Sequence, residues 1–263
     1  MKQLLLPFFS VLLFIHSAEG APDPADRTAA REKAAGVFLQ KAAAAKKPAE
    51  IAGALFKAAG KFKELKRFDE AVFYLLKIPR IKGVPRHESA CAFRAAAQCR
   101  MEQLRTTEAI ELYHRACACR SGKWSEAVSC RELGEIYMDL GFFDKAAAVF
   151  AQAADDPKLG GERFSSLCGK AAALVRLGKQ ADAEKAFQQA AAMLPPEKRQ
   201  SNAGALLYLT EAEVLAGAGK TVPSLEACKK ALAVPKVNWK LARKVRLLMA
   251  DISSGSKAKE KTK

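Results

Sequence analysis

Apolar residues recur at helical spacing through the middle of the chain, most clearly from Leu133 to Pro157, LGEIYMDLGFFDKAAAVFAQAADDP. Ala146 and Phe150 fall about one turn apart, on the same face of a helix. Gly141 permits a tight turn before that helix, and the closing proline cannot continue it. This stretch therefore predicts two short antiparallel helices, with small residues that let them approach closely.

The same pattern returns along the chain. A small residue occupies the equivalent position of the second helix in each unit, at Ala71, Ala109, Ala146, Ala183 and Ser224, in steps of 38, 37, 37 and 41 residues. Self-similarity at a nearly constant period indicates stacked structural units. We therefore expect five helix pairs over residues 49–235 of the 263-residue chain.

The two ends of this array read as caps, because a terminal unit has no neighbour to cover its outer face. Residues 21–48 predict a leading helix from Asp26 to Lys47, ended by Pro48. Residues 236–252 predict a capping helix. The tail at 253–263, SSGSKAKEKTK, is polar and basic, and we expect it to be disordered. The apolar stripe of the capping helix consists of Trp239, Ala242, Val245 and Met249.

The repeated unit resembles the tetratricopeptide repeat (TPR), a helix–turn–helix of about 34 residues. The resemblance implies an all-α fold, a right-handed α-solenoid of about five TPR-like repeats with N- and C-terminal capping helices. It also implies a concave groove, lined by the first helix of each repeat, that binds peptides or extended protein segments. Lys66 departs from the pattern, since it replaces the turn glycine of the first unit. The matching residues of the central unit are Leu133, Gly134, Tyr137, Gly141, Phe143, Ala146, Phe150, Ala153 and Pro157.

The alignment of repeats also suggests which side chains face the groove. Two pairs, Arg94/Gln98 and Arg131/Glu135, occupy equivalent positions, and guanidinium groups bind carboxylates well. Our hypothesis is an acidic extended segment held along Lys57 and the two arginines. The alternative is that these are solvated charges. The candidate groove residues are Lys57, Arg94, Gln98, Arg131, Glu135 and Arg176.

The first twenty residues resemble an export signal. Lys2 precedes an apolar run that is too short to cross a bilayer comfortably, and a small-x-small site ends at Gly20. We expect a signal peptide over residues 1–20, cleaved near Gly20–Ala21. The mature chain would then be periplasmic or secreted.

The net charge of the chain narrows the classes of binding partner. The chain has 44 Lys and Arg against 28 Asp and Glu, a net charge of +16. Such a charge favours acidic partners or anionic surfaces. Protein binding through the groove is the first hypothesis, and an anionic envelope polymer or lipid head groups are the second. A purely structural assembly subunit is the third. Nucleic acid is disfavoured, since no aromatic and basic platform accompanies the export signal. A monomer is expected.

Seven cysteines follow the signal region. Cys91 starts a first helix and Cys117 ends its antiparallel partner, so these ends should be neighbours. This arrangement resembles the cysteine-bridged relatives of the TPR family and implies a Cys91–Cys117 disulfide, with Cys119 as a competitor for Cys91. The remaining buried candidates are expected to be small core residues: Cys99, Cys168 and Cys228.

No catalytic constellation is evident. His87 lies in an inter-repeat turn and His114 on a second helix, where surface or packing roles suffice. The sequence lacks a glycine-rich phosphate loop, a zinc-helix motif and a serine elbow. We therefore predict a non-enzymatic protein without a cofactor or a metal ion.

Overall fold

The computed structural model describes residues 24–122, 124–157 and 159–260. Within these ranges the chain forms twelve α-helices, two short 3-10 turns (Ile78–Arg80 and Pro196–Lys198) and no strand. The helices are α1 (Pro24–Ala44), α2 (Pro48–Glu64), α3 (Phe68–Leu75), α4 (Arg86–Glu102), α5 (Thr106–Cys117), α6 (Trp124–Asp139), α7 (Phe143–Ala154), α8 (Gly160–Arg176), α9 (Gln180–Met193), α10 (Asn202–Gly217), α11 (Thr221–Ala233) and α12 (Trp239–Glu260).

The helices pack in sequential pairs, as the repeat predicted. The five pairs are α2/α3, α4/α5, α6/α7, α8/α9 and α10/α11, with α1 against α2 at one end and α12 against α11 at the other. Each second helix also touches the first helix of the next pair. The first helices α4, α6, α8 and α10 contact one another in series, and α12 continues that series. They form one continuous face, called here the first-helix face.

The predicted repeat phase is confirmed by burial of the marker residues. Ala71, Ala109, Ala146, Ala183 and Ser224 are all fully buried, at 0% exposure, where the two helices of each pair meet. A serine fits the last position because its hydroxyl donates a hydrogen bond to the carbonyl of residue 212 (2.7 Å). Small side chains allow the close helix approach that the sequence pattern required.

The turns inside the pairs follow the same phase. Lys66, Leu104, Gly141, Gly178 and Gly219 all have a left-handed backbone, with φ between 58° and 77°. Their spacing of 38, 37, 37 and 41 residues equals that of the buried markers. Glycine adopts this conformation freely, whereas a lysine or leucine pays a steric cost of about 1–2 kcal/mol. Two of the five turns therefore carry backbone strain.

Phe150 joins consecutive pairs at the centre of the array. Its ring is almost fully buried, and an added Cβ at Gly134 or Gly169 would lie 2.6 Å from it. Such a distance is a steric clash, so α6 and α8 need glycine at these two positions. The aromatic ring of α7 is thereby clamped between two first helices.

Both predicted helix boundaries at the ends of the chain were wrong. The first helix ends at Ala44, and Pro48 is the opening residue of α2, where its missing N–H costs nothing. At the other end, α12 continues through the segment predicted to be disordered, as far as Glu260. Ser253 and Ser254 donate hydrogen bonds to the carbonyls of residues 249 (2.8 Å) and 251 (2.9 Å). The predicted signal peptide lies outside the described residues.

Candidate functional site

A cavity of about 440 Å³ opens on the first-helix face between α6, α8, α10 and α12. It is called here the α6–α12 cavity. Its size is that of an ordinary ligand pocket in a protein. It is lined by Arg131, Glu135, Met138, Phe150, Ser165, Cys168, Gly169, Ala172, Asn202, Leu206, Leu209, Thr210, Glu213, Asn238, Lys240, Leu241 and Lys244.

The floor of the cavity is apolar. The clamped ring of Phe150 lies beside Cys168 and Leu209, all of them buried. Leu206 and Leu241 are partly buried and continue the apolar lining. Such a floor suits an aliphatic or aromatic group of a ligand, because burying apolar surface is worth about 25 cal/mol per Å².

Two asparagines shape the rim on the α10–α12 side. The side-chain oxygen of Asn202 accepts a hydrogen bond from the backbone N–H of Asn238 (2.7 Å). The side-chain oxygen of Asn238 in turn accepts from the backbone N–H of Lys240 (2.9 Å), which caps the start of α12. Both amide oxygens are engaged, so their NH₂ groups remain to donate to a ligand.

Glu213 is the chemically distinctive group of the cavity. It is partly buried on α10 and has no hydrogen bond or ion pair within the described residues. Burial raises the pKa of its carboxyl to about 7, while the positive charges of Arg176 and Lys244 oppose the rise. Near neutral pH this carboxyl can therefore either accept or donate a hydrogen bond to a ligand.

Arg94 and Gln98, both predicted to face the groove, are engaged with α6. The Arg94 guanidinium donates to the Glu132 carboxylate through Nη2 (2.8 Å) and Nε (3.1 Å). The Gln98 amide also points at this carboxylate, at 3.3 Å. Burial would raise the pKa of Glu132, but hydrogen bonds from Arg94, Tyr113 and Gln98 lower it below its ordinary value.

Arg131 makes the equivalent link one repeat later. Its Nε donates to Glu162 of α8 (2.8 Å), and its Nη1 donates to Glu135 one turn away on α6 (2.6 Å). Partner carboxylates would therefore compete with Glu132 and Glu162 for the guanidiniums of Arg94 and Arg131. These two arginines mainly tie successive repeats together.

The other two candidate cations lie apart from these ion pairs. Lys57 of α2 places its ammonium 5.8 Å from the centre of the Phe38 ring. Arg176 is exposed at the end of α8, within electrostatic range of Glu213. Of the six predicted groove residues, the α6–α12 cavity brings together only Arg131 and Glu135.

Comparison with known proteins gives structural likeness without sequence likeness. No protein-family model matches the chain, and no curated protein matches it. Among solved structures, BtubC (BKLC) from P. vanneervenii superposes with a TM-score of 0.64 at 12% identity, over 81% of this chain and 91% of that one. The pilF protein of Pseudomonas aeruginosa gives 0.53 at 18% identity, over 81% and 93%. YrrB, described as a TPR protein with an unusual peptide-binding site, gives 0.50 at 14% identity, over 73% and 90%.

The chain has a TPR fold. The five helix pairs are TPR-like repeats, and the first-helix face is the one that the resemblance assigns to the groove.

The alignment of the repeats also places Glu213 at a groove position, which was not among the predicted residues. Counting 37, 37 and 41 residues from Gln98 leads to Glu135, Ala172 and Glu213, and all three line the cavity. Asn238 lies outside the repeat frame and had no such signal in the sequence.

The cysteines of this TPR array are all free thiols, so the implied Cys91–Cys117 disulfide is absent from this structure. Cys117 is instead in contact with Cys130 of the next repeat, and this thiol neighbour, together with burial, raises its pKa. The ends of α4 and α5 are neighbours, but Cys117 turns into the α5–α6 contact. The expected burial of three cysteines is confirmed: Cys99, Cys168 and Cys228.

His114 has a packing partner on the next TPR repeat. Its Nε2 lies 2.6 Å from the hydroxyl of Tyr137, which joins α5 to α6. Within the described ranges, no group of three or more His, Cys, Asp or Glu residues is placed to hold a metal ion. No described helix is long and apolar enough to cross a membrane.

Proposed function

We propose that this TPR protein is an interaction scaffold that holds an extended segment of another protein in the α6–α12 cavity. The role needs neither a catalytic group nor a cofactor. The observation that carries the proposal is the composition of the cavity wall. Four consecutive helices of the first-helix face supply an apolar floor, amide donors and charged groups of both signs. YrrB, which has the same fold, is described as binding peptide.

The chemistry of the cavity indicates what such a segment carries. An apolar side chain occupies the floor, and peptide carbonyls accept from the NH₂ groups of Asn202 and Asn238. Lys240 and Lys244, both exposed and without an ion pair in the described residues, attract acidic residues of the segment. The proposed acidic ligand is therefore anchored by these lysines rather than by Arg94 and Arg131.

The cellular location of the protein is also part of the proposal. The apolar leader and its small-x-small site support export and cleavage near Gly20–Ala21, in a periplasm or outside the cell. The full chain, produced in its own host with a removable C-terminal tag, should be recovered with Ala21 as its first residue. Recovery with Met1 intact would remove the export proposal and leave the cavity proposal untouched.

A filled cavity provides the test of binding. Ala172 lines the cavity and is partly exposed, so Ala172→Phe should occupy the space that the segment needs. Ala181→Phe makes the same change at an exposed position on α9 and serves as the matched control. Each tagged protein is crosslinked in an envelope extract, at low and at moderate salt, and the captured proteins are identified by mass spectrometry.

A discrete partner captured by the native chain and by Ala181→Phe, and lost with Ala172→Phe, is the expected result. The Ala172→Phe protein must show native helicity and thermal unfolding for the comparison to count. Capture that is equal for both variants would overturn the assignment of the cavity as the binding site.

A further inference from the structure

Positive charge is concentrated at the C-terminal end of the array. Residues 227–259 contain nine Lys and Arg and a single acidic residue, Asp251. Seven of these cations lie where side chains are described, and all seven are exposed on α11, on α12 or in the turn between them. They are Lys229, Lys230, Lys236, Lys240, Arg243, Lys244 and Arg246.

These seven cations differ from those of the first repeats in having no ion pair among the described residues. Arg94 and Arg131 are bound to carboxylates of the next repeat, and Arg100 is bound to Asp69 and Glu108. The C-terminal cations have almost no acidic neighbours in sequence. Their mutual repulsion is uncompensated, which favours an anionic binding partner.

Apolar side chains lie on the same outer surface. Trp239 is 68% exposed and Leu247 is 54% exposed. At 100° per residue, positions 239, 243, 246, 247 and 250 share one face of α12, so Arg243 lies between the two apolar side chains and Arg246 lies beside Trp239. The side of α12 that carries Ala242 and Val245 is buried in the array. This outward face is called here the α12 outer face.

Membrane-surface helices combine these residue types. Tryptophan and leucine enter the boundary between head groups and acyl chains, while arginines and lysines bind the phosphates. Each cation near an anionic bilayer contributes about 1 kcal/mol. A soluble acidic segment would use the cations but would leave Trp239 and Leu247 in water. The α12 outer face is the surface of one helix at the end of the array, which suits a flat partner.

We propose that the α12 outer face docks the protein on an anionic phospholipid surface, with Trp239 at head-group level. The helix lies on the bilayer and does not span it. The lysines at 229, 230 and 236 add electrostatic attraction around the edge. This interaction is separate from the α6–α12 cavity, so a docked protein can still hold a partner segment.

Trp239 makes the test direct. The chain has two tryptophans, so Trp124→Phe leaves Trp239 as the sole reporter. The purified protein is titrated with vesicles of phosphatidylcholine alone and of phosphatidylcholine with phosphatidylglycerol. We expect a blue shift of Trp239 emission and co-sedimentation with the anionic vesicles only. Added salt should weaken both, because it screens the attraction.

Paired variants separate the α12 outer face from net charge. Arg243→Gln/Arg246→Gln should weaken binding to the anionic vesicles about 30-fold, given the contribution of each cation. Arg27→Gln/Arg80→Gln removes the same charge from two exposed arginines, one on α1 and one in the 3-10 turn after α3, and should leave binding nearly unchanged. Ala172→Phe, which fills the cavity, should also bind the vesicles normally.

Three results would overturn the proposal. The first is equal binding to vesicles with and without phosphatidylglycerol. The second is that both double arginine variants weaken vesicle binding equally, which would show that binding depends on net charge alone. The third is tight binding of heparin together with no emission shift on vesicles, which would make the surface a site for soluble polyanions. Circular dichroism of each variant guards against loss of fold.

Discussion

The guanidinium of Arg94 in α4 and the carboxylate of Glu132 in α6 form a two-pronged hydrogen bond across a repeat boundary, at 2.8 and 3.1 Å. Both side chains are less than a quarter exposed. Hydrogen bonds to a charged group in such surroundings contribute about 1.5–3 kcal/mol. The pair is therefore a structural link between repeats rather than a free binding group.

We expect Glu132→Gln to lower the free energy of unfolding by about 1–3 kcal/mol at pH 7, because it removes the charge that Arg94 binds. Urea titration measures the change. The pKa of Glu132 is lowered in the folded protein. Its contribution is therefore present above the unfolded pKa and is lost as the pH falls through the folded value. The difference between native and variant proteins should shrink in strong acid.

Glu135→Gln is the control for this prediction. Glu135 also pairs with an arginine, but its side chain is 52% exposed. An exposed pair contributes about 0–1 kcal/mol, so this variant should stay close to the native protein. Equal losses for the two variants would contradict the structural role assigned to Glu132.

The effect of Glu213 on the stability of the fold should have the opposite dependence on pH. Burial raises the pKa of its carboxyl to about 7, so the folded protein favours the neutral form. Ionisation then destabilises the fold as the pH rises from the unfolded pKa, about 4.3, through the folded value. We expect Glu213→Gln to raise the urea midpoint at pH 8 and to leave it unchanged at pH 4. Glu226→Gln, at an exposed position on α11, should change neither midpoint.

The strained turns offer a gain in stability. Leu104 has φ of 59° and is 89% exposed, so its side chain contributes little packing to offset the backbone cost. Leu104→Gly should raise the free energy of unfolding by up to about 1 kcal/mol. Gly178→Ala, at the equivalent turn, should lower it by a similar amount. Thermal unfolding of the two variants measures both effects.

A glycine inside a helix is the control for the two turn variants, because its backbone is not in the left-handed conformation. An added Cβ at Gly60 of α2 meets nothing within 4 Å. Gly60→Ala should therefore stabilise by about 0.5–1 kcal/mol, the ordinary helix preference for alanine. A destabilised Leu104→Gly would show that the leucine makes contacts that outweigh the strain.

Alkylation can decide the state of the cysteines. Cys91 and Cys119 are partly exposed, whereas the other five thiols are buried. Native protein treated with iodoacetamide should be labelled at these two positions first, with Cys119 slow because burial raises its pKa. Peptide mass spectrometry before and after unfolding measures the order. Protection of Cys91 that disappears on reduction would instead support the Cys91–Cys117 disulfide.

Sequence alone was enough to predict the repeat, for a simple steric reason. The close approach of two helices admits only small residues at Ala71, Ala109, Ala146 and Ala183. These small residues recur at a nearly regular interval, which can be seen in the sequence. The pairing of charges was not predictable in the same way. Arg131 was expected to face a partner, but it reaches Glu162 on the next repeat, a choice that depends on the stagger of α6 and α8.

The cavity was harder still to foresee. Its wall combines four helices, and Asn238 and Lys240 come from the cap rather than from a repeat. Glu213 does occupy a repeat position, but its raised pKa depends on how deeply α10 is covered by neighbours. The length of α12 was missed because a basic, serine-containing tail reads as disordered, although lysine and alanine are good helix formers.

The ion pairs that link successive repeats have a consequence for cooperativity. They end at Arg131–Glu162, and in the described residues beyond 162 only the pair Lys185–Asp182, within α9, remains. The largest apolar cluster covers most of residues 35–153 and reaches Ala173 of α8, and three smaller clusters cover the C-terminal repeats. The C-terminal repeats should therefore melt before the N-terminal ones. Because the cavity takes walls from both, a bound segment would act as a splint that makes them unfold as one.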